Sequence, residues 1–312
     1  MFNWKEIKKP ILALAPMADY TDSPFSVICK KMGADLIYRE MVSADATVHQ
    51  SEKTLVMAGF DKKERPIILQ IFGKDPGIMA EAARILEARY APDGIDINMG
   101  CPARKIVSNF NGASLMKEPK LASDIIKAVK EAVKVPVSVK TRTGWERPVE
   151  ILKFSKIIED AGADALAVHG RTKKMGYSGV ADWEIIAKVK KSLSIPVLLN
   201  GDVAGFNDFS RALQVSEADG VLIGRGAMGR PWVFENIKNK KDAEPDLKNL
   251  KKIILSHLEL HLKHYGERGV VLFRKHLAAY FKGMEGARKI RTEAVMASSE
   301  KEIKKILSRI EK

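Results

Sequence analysis

Only two cysteines, Cys29 and Cys101, occur in the 312 residues, and they sit in unlike settings. A disulfide framework is thereby excluded, and a reducing cytoplasm is the expected compartment. There is no CxxC pair, so a structural zinc site is not expected and no metal is assigned. No apolar run approaches the roughly 18–20 residues that span a bilayer. The first residues, Met1-Phe2-Asn3-Trp4-Lys5, lack the features of a secretory signal. What remains is the composition of an ordinary soluble globular protein, 46% hydrophobic and 29% charged.

The formal net charge is +14, and it is unevenly spread. Residues 238–312 carry 19 Lys/Arg against 10 Asp/Glu, a surplus of +9 on a quarter of the chain. The first 237 residues carry 34 against 29, hence only +5. A basic tail on a nearly balanced body points to a polyanionic partner, although a lysine-rich solvated surface has the same composition.

Short β-branched runs recur at 11–17, 36–41, 67–72, 94–99, 137–141, 165–169, 197–200 and 221–224. Continuous hydrophobicity, rather than alternation, is the pattern of parallel strands buried on both faces. Amphipathic helices are predicted between them at 76–90, 120–134, 150–161, 183–192 and 207–215. Eight strand–helix units in about 235 residues fit a TIM-type (β/α)8 barrel, with a doubly wound open sheet as the rival. Weak internal repeats favour the barrel: Val135-Pro136-Val137 echoes Ile195-Pro196-Val197, and Gly162-Ala163-Asp164-Ala165 echoes Ala218-Asp219-Gly220-Val221. A polar stretch at 238–249 reads as a linker, and from 250 the period is helical. Two domains are expected, a barrel over 1–237 and an all-helical domain over 238–312.

In such a barrel the loops after the strands build the active face. The residues falling there are unusually polar: Gln70, Asn98, Cys101, Lys140, Arg142, His169, Arg171, Asn200-Gly201-Asp202 and Gly224-Arg225-Gly226. Ionisable groups gathered without partners imply a ligand. Glycines at two adjacent strand ends, beside Arg225, suit a phosphate. Lys140 suits the N1/O2 edge of a flavin ring, with Gln70 and Asn200 as hydrogen-bonding partners of its polar edge. Cys101 follows a strand in a loop expected to be mobile, where a partly exposed thiol exchanges a proton; Cys29, within a helix, reads as core.

These segments resemble the bacterial tRNA-dihydrouridine synthases. The resemblance is carried by Ala15-Pro16-Met17-Ala18, Gln70-Ile71-Phe72-Gly73, Asn98-Met99-Gly100-Cys101-Pro102, Lys140-Thr141-Arg142-Thr143-Gly144, His169-Gly170-Arg171-Thr172, Asn200-Gly201-Asp202 and Gly224-Arg225-Gly226. It runs from about residue 10 to 237, with a weaker echo at Arg274-Lys275-His276 and Tyr280-Phe281-Lys282. It implies an FMN-binding barrel with a helical tRNA-binding tail, and reduction of uridine to 5,6-dihydrouridine at the expense of NADPH or NADH. Pro16, Met17, Ala18, Gln70, Lys140, His169, Asn200, Gly201, Asp202, Gly224 and Arg225 would line the FMN. Cys101 would protonate C5 of the base, and Asn98, Lys105 and Arg171 match positions near the substrate. A monomer without membrane attachment is expected. One departure stands out: Asp19 occupies a place where many relatives carry glycine.

Two rivals remain at this stage. A flavin oxidoreductase of small molecules would share the barrel but leave the basic tail without a purpose. An RNA-binding barrel without chemistry would have no need of Lys140, His169 and Cys101 together.

Overall fold

In the computed structural model, which describes residues 2–284 and 287–310, nine strands form one all-parallel sheet. They are β1 (Ile11–Leu14), β2 (Leu36–Tyr38), β3 (Val42–Ser43), β4 (Ile67–Phe72), β5 (Gly94–Met99), β6 (Val137–Arg142), β7 (Ala165–His169), β8 (Val197–Asn200) and β9 (Gly220–Ile223). β1 pairs with both β2 and β9, and β2 pairs with β4, so eight strands close into a barrel. β3 is a two-residue extension on the edge of β4. The open-sheet alternative is thereby excluded.

Helices alternate with the strands: α1 (Ser23–Lys31), α2 (Ala44–Val48), α3 (Glu52–Ala58), α4 (Pro76–Tyr90), α5 (Arg104–Val107), α6 (Pro119–Ala132), α7 (Glu150–Asp160), α8 (Trp183–Ser192) and α9 (Phe206–Ser216). After the barrel come α10 (Val233–Lys238), α11 (Leu247–Tyr265), α12 (Arg268–Tyr280), α13 (Ala287–Met296) and α14 (Glu300–Ser308). None of the helices among the described residues is long and apolar enough to cross a membrane.

Two sequence expectations shift for local reasons. The first strand ends at Leu14 rather than 17, because Pro16 has no amide to donate and the Met17 amide turns to the Thr21 hydroxyl. The run at 36–41 splits, because Arg39 turns inward to an ion pair with Glu64 at 2.9 Å.

Strand side chains alternate between the two faces of the sheet. One parity packs against the helices in the main core, as Leu12, Leu14, Leu69, Ile71, Ile95, Ile97 and Val139 do. The other fills the barrel: Ile11, Ala13, Ala15, Leu36, Tyr38, Ile68, Ala165, Ala167, Leu198 and Leu222, with Trp4 packed onto them. Continuing that inner parity toward the strand C-termini gives Gln70, Asn98, Lys140, His169 and Asn200. The register that hides aliphatic residues in the barrel therefore delivers the polar ones to its upper layer.

The tail has its own core, in which Trp232, Leu250, Ile254, Phe273, Leu277, Phe281 and Ile303 pack together. The polar stretch before it is not a free strand. Asp242 accepts from the Phe206 amide at 2.6 Å and the Asn207 amide at 3.1 Å, capping α9, whose own N-cap is Gly205.

Candidate active site

A cavity of about 1020 Å³ opens at the C-terminal ends of the strands. Thirteen of the fifteen residues to which the resemblance assigns a place line it, together with Arg142 and Gly226. From the first loop come Pro16, Met17 and Ala18; from β4 and β5, Gln70 and Asn98; from the next loop, Cys101. β6, β7 and β8 contribute Lys140, His169 and Asn200, followed by Gly201, Asp202, Gly224 and Arg225. Lys105 and Arg171 are the two that do not reach it. Lys105 is exposed on α5. Arg171 is buried and spent on structure: it donates to the carbonyls of Ser178 (3.0 Å) and Gly179 (2.6 Å) and to Asp202 Oδ2 (2.7 Å).

The floor of the cavity is a hydrogen-bonded relay. Asp96 accepts from Ser138 Oγ and Gln70 Nε2, both at 2.6 Å. Gln70 Oε1 accepts from Asn98 Nδ2 at 2.9 Å, and Asn98 Oδ1 accepts from the amides of Gly100 and Cys101. Burial pushes the Asp96 carboxyl up to about 7, opposed by those hydrogen bonds. The relay orients both side-chain amides and ties the cysteine loop to the barrel interior.

Electrostatically the cavity is lopsided. Six lysines or arginines line it against one carboxylate, Asp202, which is already held by Arg171 and Arg225. Lys140 has no hydrogen-bond or ion-pair partner among the described residues. Burial and the neighbouring Arg142 pull its ammonium down to about 8. The Asp96 carboxyl opposes that shift through space but makes no hydrogen bond to the ammonium, and a buried cation so weakly compensated is costly unless a ligand completes the balance. His169, buried among Lys140, Arg142, Arg171 and Arg225, falls to about 2 and is a neutral imidazole at physiological pH.

The Cys101 loop is tied rather than loose. The Cys101 amide donates to Asn98 and its carbonyl accepts from Ala113 at 3.1 Å, while Arg142 donates to the Gly100 carbonyl at 2.8 Å. The thiol itself lines the cavity, and burial raises it above the ordinary thiol range, opposed by the Ala103 amide and by Arg142 and Lys140. It is therefore held as a protonated acid.

Two glycines have distinct reasons. Gly201 adopts φ +117°, and a Cβ there would collide with the His169 ring and Ala181. Gly226 is demanded by the Val203 carbonyl pressed against it, a matter of loop packing rather than of a ligand's approach. Asp19 adopts φ +61°, the left-handed region that glycine favours and aspartate tolerates, and its amide donates to Glu40 at 2.7 Å. The loop keeps the shape a glycine would give it.

The structure adds lining residues that sequence reasoning passed over, among them Tyr177, Lys173, Lys174 and Lys282. The Tyr177 ring is 58% exposed and lies 4.8 Å from the Arg225 guanidinium and 5.4 Å from that of Arg142. Outside the cavity, Asp22, His257, His261 and His276 converge. His257 and His261, one turn apart on the same helix, thus meet His276 and Asp22 in space, which removes the expectation that no metal is held.

Fold and cavity define a (β/α)8-barrel protein with a cationic ligand site at its strand C-termini. The family model described as dihydrouridine synthase (Dus) matches residues 13–312, and the chain belongs to that family. It is 40% identical to tRNA-dihydrouridine synthase B of Pseudomonas aeruginosa over 90% of this chain and 87% of that protein. It is 36% identical to a probable tRNA-dihydrouridine synthase of Aquifex aeolicus, covering 96% and 95%. Among solved structures, TcOYE with pHBA superposes with a TM-score of 0.56 at 14% identity, over 80% of this chain and 94% of that one. Histamine dehydrogenase from Rhizobium sp. 4-9 gives 0.57 at 12%, over 80% and 49%. At such identities the likeness is one of fold.

Proposed function

We propose that this chain reduces the C5–C6 double bond of specific uridines in tRNA to 5,6-dihydrouridine, with FMN in the cavity and NADPH, or NADH, as electron source. The names borne by its relatives support the RNA substrate. The observation that carries the flavin is the Lys140 ammonium, without a hydrogen-bond partner at the base of a cavity whose lining also holds Gln70, Asn200 and the Cys101 thiol. That donor set fits a planar ring with an electron-rich edge. Pro16, Met17, Ala18, Gln70, Lys140, His169, Asn200 and Gly201 would hold the ring. Gly224 and Arg225 would receive its phosphate, with Asp202 fixing Arg225.

FMN, when bound by these residues, would supply a hydride for C6 of the uracil. C5=C6 is conjugated to C4=O, so reduction leaves an enolate that needs a proton at C5. Cys101 Sγ gives it, being a neutral thiol until the pH exceeds its raised range. Asn98 holds the Cys101 amide and so aims the thiol. The target base must first leave its stack, at a cost of a few kcal/mol. We further propose that the barrel over 1–237 is the catalytic domain and the basic helices over 238–312 bind tRNA phosphates, with exposed Lys105 as an additional contact. The enzyme acts as a cytoplasmic monomer in this reading.

The test is Cys101→Ala assayed on tRNA from cells lacking the gene. The variant is expected to keep its flavin absorbance and its NADPH oxidation while losing most dihydrouridine formation. Undiminished product would remove Cys101 from the mechanism.

A further inference from the structure

We propose that the chain carries a structural zinc site, Asp22–His257–His261–His276, fastening the C-terminal helices to the loop that follows β1. Zinc binding here is independent of the flavin reading.

The four residues come from three places far apart in sequence. Asp22 is the N-cap of α1, accepting from the Phe25 amide through Oδ1 at 3.1 Å, while Oδ2 faces His261 and His276 and the Tyr265 hydroxyl lies close to the same carboxylate. His257 and His261 stand one turn apart on α11, and His276 projects from α12. One ligand atom from each lies within 4.8 Å of all the others. Asp22 Oδ2 is 3.6 Å from His261 Nε2 and 3.7 Å from His276 Nε2, too long for hydrogen bonds. Tetrahedral zinc with bonds of about 2.0–2.1 Å sets its ligands roughly 3.3 Å apart, within about 0.4 Å of those separations.

All four side chains are at least nine-tenths buried, and the imidazoles have unmet polar atoms. His257 Nε2, His261 Nδ1 and Nε2, and His276 Nδ1 and Nε2 have no hydrogen-bond partner. Buried polar atoms without partners are rare and cost free energy, so five on three adjacent rings call for an occupant. His257 is already arranged as a ligand: its Nδ1 faces the Tyr280 hydroxyl at 3.0 Å, leaving Nε2 turned to the cluster. Phe25 and Phe273 pack against the rings and keep water away.

The donor set selects the ion. Three imidazoles and one carboxylate suit zinc or a similar borderline divalent metal, whereas calcium and magnesium require mostly oxygen. Four protein ligands leave no open position, so the role is structural. Its mechanical reach is short. Asp22 follows Thr21, whose hydroxyl accepts from the Met17 amide and donates to the Ala15 carbonyl. Tyr20 lines the cavity on one side and lies 4.7 Å from the His276 ring on the other. The ion would thus hold the tail against the loop that forms one wall of the active site.

The full chain, expressed with zinc in the medium, is expected to retain about one equivalent per chain by mass-spectrometric metal analysis. Chelator-stripped protein should rebind ZnCl2 at that stoichiometry and melt at higher temperature when it does. Co2+ in its place should give the intense d–d absorption of tetrahedral nitrogen–oxygen coordination. Asp22→Asn retains a capping acceptor for α1, and with His261→Asn it should weaken zinc binding at least about tenfold. Circular dichroism checks that each variant is folded; if His261→Asn is not, Asp22→Asn decides. Wild-type protein without zinc and without a melting response to ZnCl2 overturns the site, as does equal binding by the two variants.

Discussion

Lys140 and Cys101 face the same cavity, and their ionisations run in opposite senses with respect to function. Lys140 is charged below about pH 8 and neutral above it. If its ammonium holds the flavin, retention of the flavin should fall as the pH passes 8, measured as released fluorescence. Lys140→Arg, which stays charged far higher, should flatten that profile, and an unchanged profile would separate Lys140 from the ring. Cys101 must be protonated to act. Because burial raises its thiol, single-turnover dihydrouridine formation should stay level through neutrality and decline only on the alkaline side of the ordinary thiol range. A decline beginning below pH 7 would require another acid. His169, neutral down to about pH 2, adds no inflection to either profile.

At the scale of elements, the strand ends were legible because burial enforces a period of two. Once Ile68 is inside the barrel, Gln70 follows it; once Ala167 is inside, so is His169. The stretch from 173 to 177 has no such period, so nothing in its residues announces that Tyr177 turns over Arg225 and Arg142. Arg171 shows the converse failure. Its place beside His169 makes it read as a substrate contact, yet the chain reverses and buries it among the carbonyls of 178 and 179. Arg171→Ala should therefore destabilise the fold by about 3 kcal/mol, the scale of breaking a buried ion pair, and expose residues 172–182 to limited proteolysis. Arg225→Ala, at a half-exposed position, should leave the melting temperature within a degree or two and instead weaken flavin retention. Of the histidine cluster, the sequence displays only His257 and His261 one turn apart; that α1, α11 and α12 meet is decided by tertiary packing, which spacing along the chain does not encode.

For the whole molecule, charge is the guide. The surplus of +9 in the last 75 residues and the lysines around the cavity mouth make a surface suited to a folded polyanion. Binding of tRNA should weaken steeply with salt, with log K falling linearly against log salt concentration. Lys282, at the cavity rim, should on reversal to glutamate lower the affinity for tRNA and the slope of that line by about one to two while flavin content stays constant. A salt-independent association would contradict a phosphate-reading tail. The division near residue 237, read from composition alone, meets a complication in Asp242. That side chain belongs to the connecting stretch, yet it completes the first turn of a barrel helix. Cutting the body free after Ile237 would send the aspartate away with the tail and leave two amides of that helix bare. A working exchange of modules must place its seam beyond that residue.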